Sequence, residues 1–249
     1  MMKFQQAFTV RIYECKADGK LKVSALLDYM QEIAGLHTIE LKITIPDLFP
    51  RGLTWMLSRY HIVIDRAPVY GDTVSMQTWV SEHCGMFSIR EYRLSDTAGQ
   101  SLARATSSWV LYDIHQKKTV AVAEALPLDV LLPERAVKDD FASLPLPERC
   151  DSEQRIRVRM HDLDINRHVN NRFIAEWALE AVDPGLIREH TLRSMEISFK
   201  GQAFYGDSIL SRCKIEEDRG QLQILHHLIT EEKQRSIALL RSRWEGTKD

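Results

Sequence analysis

The sequence lacks the features that mark disulfide-rich, zinc-binding, membrane-spanning or secreted proteins. It has only four cysteines, Cys15, Cys84, Cys150 and Cys213, which lie far apart and form no C-x-x-C pair. This spacing indicates neither a disulfide framework nor a zinc site. No run approaches the roughly 20 apolar residues that cross a bilayer, and the first residues lack the apolar stretch of a signal peptide. We therefore expect a cytoplasmic protein.

The sequence also lacks a dominant charge of one sign. Its 33 Lys and Arg residues nearly balance 35 Asp and Glu residues, which gives a net charge of −2. No global field therefore favours nucleic acid. With 44% hydrophobic and 27% charged residues among 249, the composition is typical of a globular chain of one or two domains.

The chain repeats itself at a constant offset of 135 residues. The segment Val69–Val74 resembles Phe204–Ile209, and Trp109 corresponds to Trp244. A constant offset indicates duplication, because loops readily gain and lose residues. Each half contains a first strand (FTVRIYE or RIRVRMH), apolar residues at helical spacing, and then about four strands.

These elements predict an α+β fold of two tandem units, each an antiparallel sheet wrapped around a central helix. We place the first unit at residues 1–123, a linker at 124–152 and the second unit at 153–249. Four of the eight prolines stiffen the linker into a connector. They are Pro127, Pro133, Pro145 and Pro147.

One segment of the second half concentrates polar chemistry. Asp164, Asn166 and His168 alternate directly before a helical pattern. They supply a base, an orienting amide and a proton carrier beside a helix N-terminus that favours negative charge, which suits attack of water on a carbonyl. Asp164 or His168 would activate the water, and the residues leave that choice open. Backbone N–H groups near Asn170 and Asn171 are candidates to stabilise the oxyanion.

Metal-binding interpretations of this segment fit less well. It matches the first three ligand positions of a calcium loop, but Arg167 and Phe173 stand where that loop needs glycine and glutamate. A zinc site from His161, Asp164 and His168 lacks a signature spacing. The remaining structural alternative is a polar turn that caps the helix. We expect no metal and no cofactor.

Blocks along nearly the whole chain match one known family. They are Val10–Glu14, Tyr29–Ala34, Trp55–Arg59, Asp65–Pro68 and, most specifically, DLDINRHVNNRFIAEWALE. Through them the chain resembles the acyl-acyl carrier protein (acyl-ACP) thioesterases of plants and bacteria. The resemblance implies a double hotdog fold and hydrolysis of the thioester between a fatty acyl chain and the phosphopantetheine arm of the carrier protein. It also implies catalytic roles for Asp164, Asn166 and His168.

The sequence departs from the plant pattern at one pair of residues. Plant members carry a Glu-Cys pair where this chain has Gln202 and Ala203. The departure argues against a cysteine nucleophile and leaves Gln202 as an accessory candidate. Two other functions remain open, an acyl-CoA thioesterase and a non-catalytic acyl-binding protein. The expected partner is the acyl carrier protein, with no nucleic acid and no membrane span, and a homodimer is left open.

The first half is expected to lack the chemistry of the second. Aligning Leu27 with Ile174, an offset of 147, puts Ala17, Gly19 and Leu21 opposite the three site residues. These side chains cannot do acid–base work, so we expect the first half to supply the acyl pocket.

Five arginines cluster in sequence around the site, namely Arg155, Arg157, Arg159, Arg167 and Arg172. They form either a solvated face or a landing patch for the acidic carrier protein.

Overall fold

The computed structural model describes residues 3–126, 131–218 and 221–247. The chain divides into two compact units, Met1–Phe141 and Ala142–Asp249. Within the described ranges, no helix combines the length and apolar character that crossing a membrane requires.

The first unit is an antiparallel sheet with one long helix. Its strands are β1 (Phe4–Thr9), β2 (Leu53–Ile64), β3 (Thr73–Cys84), β4 (Phe87–Ser95), β5 (Ser101–Asp113) and β6 (Lys118–Val120). The strand order is β1-β3-β4-β5-β2, and β6 pairs with β5. Its helices are α1 (Val23–Glu40), α2 (Ile45–Leu48) and α3 (Val122–Ala125), with 3₁₀ turns at Ile12–Glu14 and Phe49–Arg51.

Apolar residues at helical spacing hold α1 against this sheet. Leu26, Met30 and Ile33 recur on one face of the helix and are at most 4% exposed. The helix packs on β1 and β3, where Val74 and Met76 are each 1% exposed. Burying each of these large side chains contributes about 1.5–3 kcal/mol.

The second unit repeats this plan. Its strands are β7 (Ser152–Arg157), β8 (His190–Phe199), β9 (Ser208–Asp218), β10 (Gln221–Thr230) and β11 (Ser236–Gly246). The order is β8-β11-β10-β9-β7, and every pairing is antiparallel. A 3₁₀ turn at Met160–Asp162 precedes α4 (Asn171–Glu180), which packs on β9 and β10, and α5 (Pro184–Glu189) follows. The predicted α+β class is confirmed in both units.

A shared side-chain motif confirms the repeat offset of 135 in the sheets. The indole Nε1 of Trp109 donates to Ser107 Oγ at 2.8 Å, and that of Trp244 donates to Ser242 Oγ at 2.9 Å. The two tryptophans therefore occupy equivalent places in β5 and β11.

The two strands predicted before the helices, FTVRIYE and RIRVRMH, are wrong after Thr9 and Arg157, where the observed strands end. In each case the strand ends early and a 3₁₀ turn follows. The cause is a carboxylate: Glu14 accepts the N–H of Arg11, and Asp162 accepts the N–H of Arg159, each at 2.7 Å. Each bond closes the chain into a turn where the sequence alternation resembled a continuing strand.

Part of the predicted linker lies against the first sheet. The carboxylate of Glu91, 0% exposed, accepts bonds from Arg135 Nε at 2.8 Å and from the Ala136 N–H at 3.0 Å. The indole of Trp79 donates to the Glu134 carbonyl at 2.7 Å. These bonds fix residues 134–136 on β3 and β4. Pro127 lies outside the described residues.

Candidate active site

The residues from Asp164 to His168 form a tight hairpin directly before α4. The Asp164 N–H donates to the His168 carbonyl at 2.9 Å, and the Arg167 N–H donates to the Asp164 carbonyl at 3.0 Å. Leu163 and Val169 bridge below this turn. Arg167 has a φ of 64°, the left-handed conformation that reverses the chain.

The three predicted catalytic side chains meet at one carboxylate. Asp164 Oδ1 accepts the backbone N–H of Asn166 at 2.8 Å. Asp164 Oδ2 lies 3.4 Å from Asn166 Nδ2 and 3.6 Å from His168 Nδ1. The side chains of Asp164 and His168 are 15% and 23% exposed, so both remain accessible to water and a substrate. The hairpin therefore brings together a carboxylate, an amide and an imidazole.

The hairpin is anchored at the point where α4 begins. The Val169 N–H donates to the Ala203 carbonyl, and the Asn170 N–H donates to the Asp162 carbonyl, each at 2.9 Å. Asn170 caps the helix, because its Oδ1 accepts the Arg172 N–H at 3.1 Å. Since the Asn170 N–H is occupied, the oxyanion hypothesis now concerns the N–H of Asn171 in the first turn of α4.

Gln202 lies next to this anchor. It is exposed, and its carbonyl accepts a bond from Arg235 Nη2 at 2.5 Å. Its neighbour Ala203 is 2% exposed and holds Val169. Gln202 therefore directly precedes Ala203, whose carbonyl accepts the N–H of Val169, the residue after His168.

The arginines around the hairpin have different partners. Arg159 bonds to the carboxylate of Asp162, with its Nη2 at 2.8 Å from Oδ1. Arg155 forms an ion pair with Glu231. The guanidinium carbon of Arg172 lies 4.4 Å from the ring centre of Phe173. Arg157, at the end of β7, and Arg167, in the hairpin, are exposed.

The role of Asp162 was not predicted from the sequence, in which this residue stands at the first ligand position of the calcium-loop pattern. The carboxylate of Asp162 is 0% exposed and is engaged by Arg159, so it is not available to a metal ion. A sequence signal did exist, because the pattern Arg-x-x-acid occurs at Arg11–Glu14 and again at Arg159–Asp162.

The first unit contains a second copy of the hairpin. The Lys16 N–H donates to the Lys20 carbonyl at 2.8 Å, the Gly19 N–H donates to the Lys16 carbonyl at 3.0 Å, and Cys15 bridges Leu21. These bonds match those of residues 163–169 at an offset of 148.

The alignment at an offset of 147 is therefore wrong by one residue. The first-unit residues equivalent to Asp164, Asn166 and His168 are Lys16, Asp18 and Lys20. The error arose because the apolar face of a helix is broad and fixes an alignment only to within about one residue. The first copy still holds neither an amide nor an imidazole.

Comparisons with known proteins identify the family of the chain. Residues 1–127 match the model of the acyl-ACP thioesterase N-terminal domain, and residues 147–246 match that of the acyl-ACP thioesterase C-terminal domain. The chain is 28% identical over 211 residues to the chloroplastic acyl-[acyl-carrier-protein] hydrolase FATB2 of Cuphea viscosissima. That match covers 79% of this chain and 51% of the relative, so the chain spans about half the length of the relative.

Two solved structures share the fold. The 12:0-ACP thioesterase of Umbellularia californica has a TM-score of 0.86 at 24% identity, covering 98% of this chain and 94% of that chain. An acyl-ACP thioesterase of Bacteroides thetaiotaomicron has a TM-score of 0.80 at 21% identity, covering 97% of each chain. The predicted tandem hotdog architecture is confirmed. Both family models match, one of them over half of the chain, and the chain therefore belongs to the acyl-ACP thioesterase family.

Proposed function

We propose that the protein hydrolyses fatty acyl-ACP thioesters to free fatty acid and carrier protein. The observation that carries this proposal is the convergence of Asn166 and His168 on the carboxylate of Asp164, in a chain of the acyl-ACP thioesterase family. Water is the attacking group in this proposal. The chemistry requires a base to activate the water, donors to stabilise the oxyanion and a proton for the leaving thiolate.

The contacts of His168 favour it as the base. Its Nδ1 lies 3.4 Å from the Val169 carbonyl oxygen and 3.6 Å from Asp164 Oδ2. Two oxygens near Nδ1 favour the tautomer that carries its proton there, because Nδ1–H can then point at an acceptor. The lone pair is then on Nε2, which can take a proton from water.

The reaction then proceeds in two balanced steps. Water loses a proton to His168 Nε2 and its oxygen bonds to the thioester carbon, which places a negative charge on the former carbonyl oxygen. The N–H of Asn171 is the candidate donor to that oxygen. The intermediate expels the pantetheine thiolate, which takes the proton from His168, and the fatty acid leaves. Asp164 and Asn166 orient the imidazole and the water.

A direct role of Asp164 as the base is the alternative, since its carboxylate is also accessible. In that case Asp164 passes the proton that it takes from water to His168, which delivers a proton to the leaving thiolate. Gln202 is proposed as an accessory residue with a smaller contribution than Asp164.

We further propose a division of labour between the two units. The second unit carries the chemistry, and the first unit, whose equivalent hairpin holds Lys16, Asp18 and Lys20, binds the acyl chain. The assignment of residues 1–123, 124–152 and 153–249 to acyl binding, linker and catalysis is part of this proposal. A cytoplasmic location stays a prediction, which cell fractionation tests. The homodimer stays open, and sedimentation equilibrium tests it.

The substrate is tested by thiol release from matched substrates. Acyl-ACP, the same acyl group on CoA, and ACP without an acyl group are incubated with the protein at equal concentration. We expect a kcat/KM for acyl-ACP well above that for acyl-CoA. A higher value for acyl-CoA would favour the acyl-CoA thioesterase, and absence of thiol release from both substrates would favour a non-catalytic acyl-binding protein.

A further inference from the structure

We infer that Asp162, together with Arg159, is a positioning residue for the hydrolysis, although neither side chain is a member of the catalytic set. The Asp162 carboxylate is 0% exposed and accepts four contacts from Arg159: the backbone N–H at 2.7 Å, Nε at 3.2 Å to each oxygen, and Nη2 at 2.8 Å. A buried carboxylate with such partners is strongly held, because losing them would leave a charge without compensation.

This pair fixes one end of the hairpin. Arg159 is the residue directly before the 3₁₀ turn, and Asp162 is the last residue of that turn, two positions before Asp164. The side chain of Asp162 thus ties the turn to its own beginning. We call this contact the Arg159–Asp162 clamp.

The backbone of Asp162 fixes the other end of the hairpin. Its carbonyl accepts the N–H of Asn170, the residue that caps α4, at 2.9 Å. One buried residue therefore bonds on both sides of the segment that carries Asp164, Asn166 and His168. A shift of the Asp162 backbone moves the hairpin relative to the first turn of α4, where the oxyanion donor is proposed.

The first unit contains a similar clamp without catalytic side chains. The clamp therefore shapes the backbone and takes no direct part in the chemistry. Glu14 accepts the N–H of Arg11 at 2.7 Å, and its carbonyl accepts the N–H of Lys22 at 2.9 Å. This second clamp holds the hairpin of Lys16–Lys20, which lacks catalytic side chains. The two clamps share these two backbone bonds and differ in their side chains: Arg11 Nη1 lies 3.9 Å from Glu14 Oε1, and Glu14 also accepts the hydroxyl of Tyr29 at 2.6 Å. Only the clamp of the second unit supports the proposed reaction.

The expected consequence is a loss of turnover and not of binding. Reacting groups must be held close to their productive geometry, and a displacement of about 1 Å can cost on the order of 10²-fold in rate. Asp162 is 0% exposed and does not reach a bound carrier protein or acyl chain, so we expect KM in an Asp162 variant to change little. This inference rests on the proposed catalytic roles of Asp164 and His168.

The duplicated clamp offers a matched control. Asp162→Asn and Glu14→Gln each remove the charge of one clamp carboxylate at similar size. We expect both variants to lose thermal stability, while only Asp162→Asn loses kcat for acyl-ACP, by about tenfold or more, with KM within about twofold of wild type. Full kcat in folded Asp162→Asn, or equal losses of kcat in the two variants, would overturn the inference.

A second matched pair covers the case in which Asp162→Asn does not fold. Arg159→Gln and Arg11→Gln remove only the exposed guanidinium of each clamp, while the backbone N–H remains. A loss of kcat in Arg159→Gln alone supports positioning, and equal kcat in the two variants overturns it. Asp164→Asn is measured beside them: if it is fully active the proposed catalytic site fails, whatever the clamp variants show.

Discussion

Gly19 and Arg167 occupy the same position in two hairpins of the same backbone. Both have positive φ values, 75° for Gly19 and 64° for Arg167. The first unit uses glycine, for which this conformation carries no steric cost, whereas the second unit places an arginine there. A residue with a Cβ is strained by about 1–2 kcal/mol in the left-handed region.

This strain predicts the effect of Arg167→Gly on stability. The substitution relieves the strain, and the greater freedom of glycine in the unfolded chain offsets part of the gain. We expect the free energy of unfolding to rise by up to about 1 kcal/mol, measured by urea unfolding. Gly19→Ala is the reciprocal control and should lower it. A lower stability in Arg167→Gly would show that the arginine side chain itself holds the hairpin.

Burial of His226 predicts a loss of stability in acid. The ring is 0% exposed, with Nδ1 at 3.0 Å from the Ala178 carbonyl and Nε2 at 2.9 Å from Ser242 Oγ. Removal from water lowers its pKa to about 4. Between the unfolded pKa of about 6.5 and this value, the unfolded chain binds a proton that the native chain does not. Stability therefore falls as the pH drops through this window, by up to about 3 kcal/mol.

The measurement is the free energy of unfolding at pH 7 and at pH 4.5, in wild type and in His226→Gln. The variant should be less stable at pH 7 but lose less stability on acidification. The same loss on acidification in both proteins would show that other groups dominate the pH dependence.

No cysteine is expected to act in the reaction. Burial raises the pKa of the Cys213 thiol to about 11, so it is protonated at neutral pH, and its Sγ lies 3.3 Å from the Ala181 carbonyl oxygen. A variant with Cys213→Ala and with Cys15, Cys84 and Cys150 changed to serine should keep its kcat. Gel filtration and circular dichroism establish that it is folded. Loss of kcat in the folded variant would reveal a thiol in the mechanism.

The hypothesis that the arginines form a landing patch for the carrier protein is best tested at two of the five. Arg159 bonds to Asp162, Arg155 pairs with Glu231, and Arg172 lies over the ring of Phe173. Arg157 and Arg167 are therefore the better probes. Charge reversal of both should raise KM for acyl-ACP several-fold and leave that for a small thioester unchanged, because attraction between complementary charges speeds encounter. KM should also rise with ionic strength, since salt screens exposed charges.

The control for this patch reverses two exposed lysines of the first unit, Lys118 and Lys138. If this control raises KM as much as the arginine pair, net charge and not the patch is responsible. If neither variant nor salt changes KM, the carrier protein docks elsewhere.

The sequence predicted the sheets well and the segments before the helices less well. Strands β2 to β5 and β9 to β11 lie where runs of apolar and β-branched residues predict strands. Several of them, such as β4 and β5, bury consecutive residues and not only alternate ones. The turns at Glu14 and Asp162 were missed, since a carboxylate that captures an N–H three residues earlier leaves no trace in the hydrophobic pattern.

The sequence predicted which residues form the candidate site. It did not predict how their side chains are arranged. A family block identified Asp164, Asn166 and His168, whereas the placement of both neighbours on the Asp164 carboxylate depends on the left-handed turn at Arg167. The alignment of the first hairpin with the second was fixed only by their backbone hydrogen bonds. The apolar faces of the helices alone left an error of one residue.

The central claim is that one hairpin, in the second unit, performs the hydrolysis. The most direct test is kcat for acyl-ACP in Asp164→Asn and in Asp18→Asn, which removes a carboxylate from the equivalent hairpin of the first unit. We expect a loss of about 10²-fold or more in Asp164→Asn and wild-type kcat in Asp18→Asn, with both proteins folded. Near-normal kcat in folded Asp164→Asn, or an equal loss in Asp18→Asn, would contradict the account.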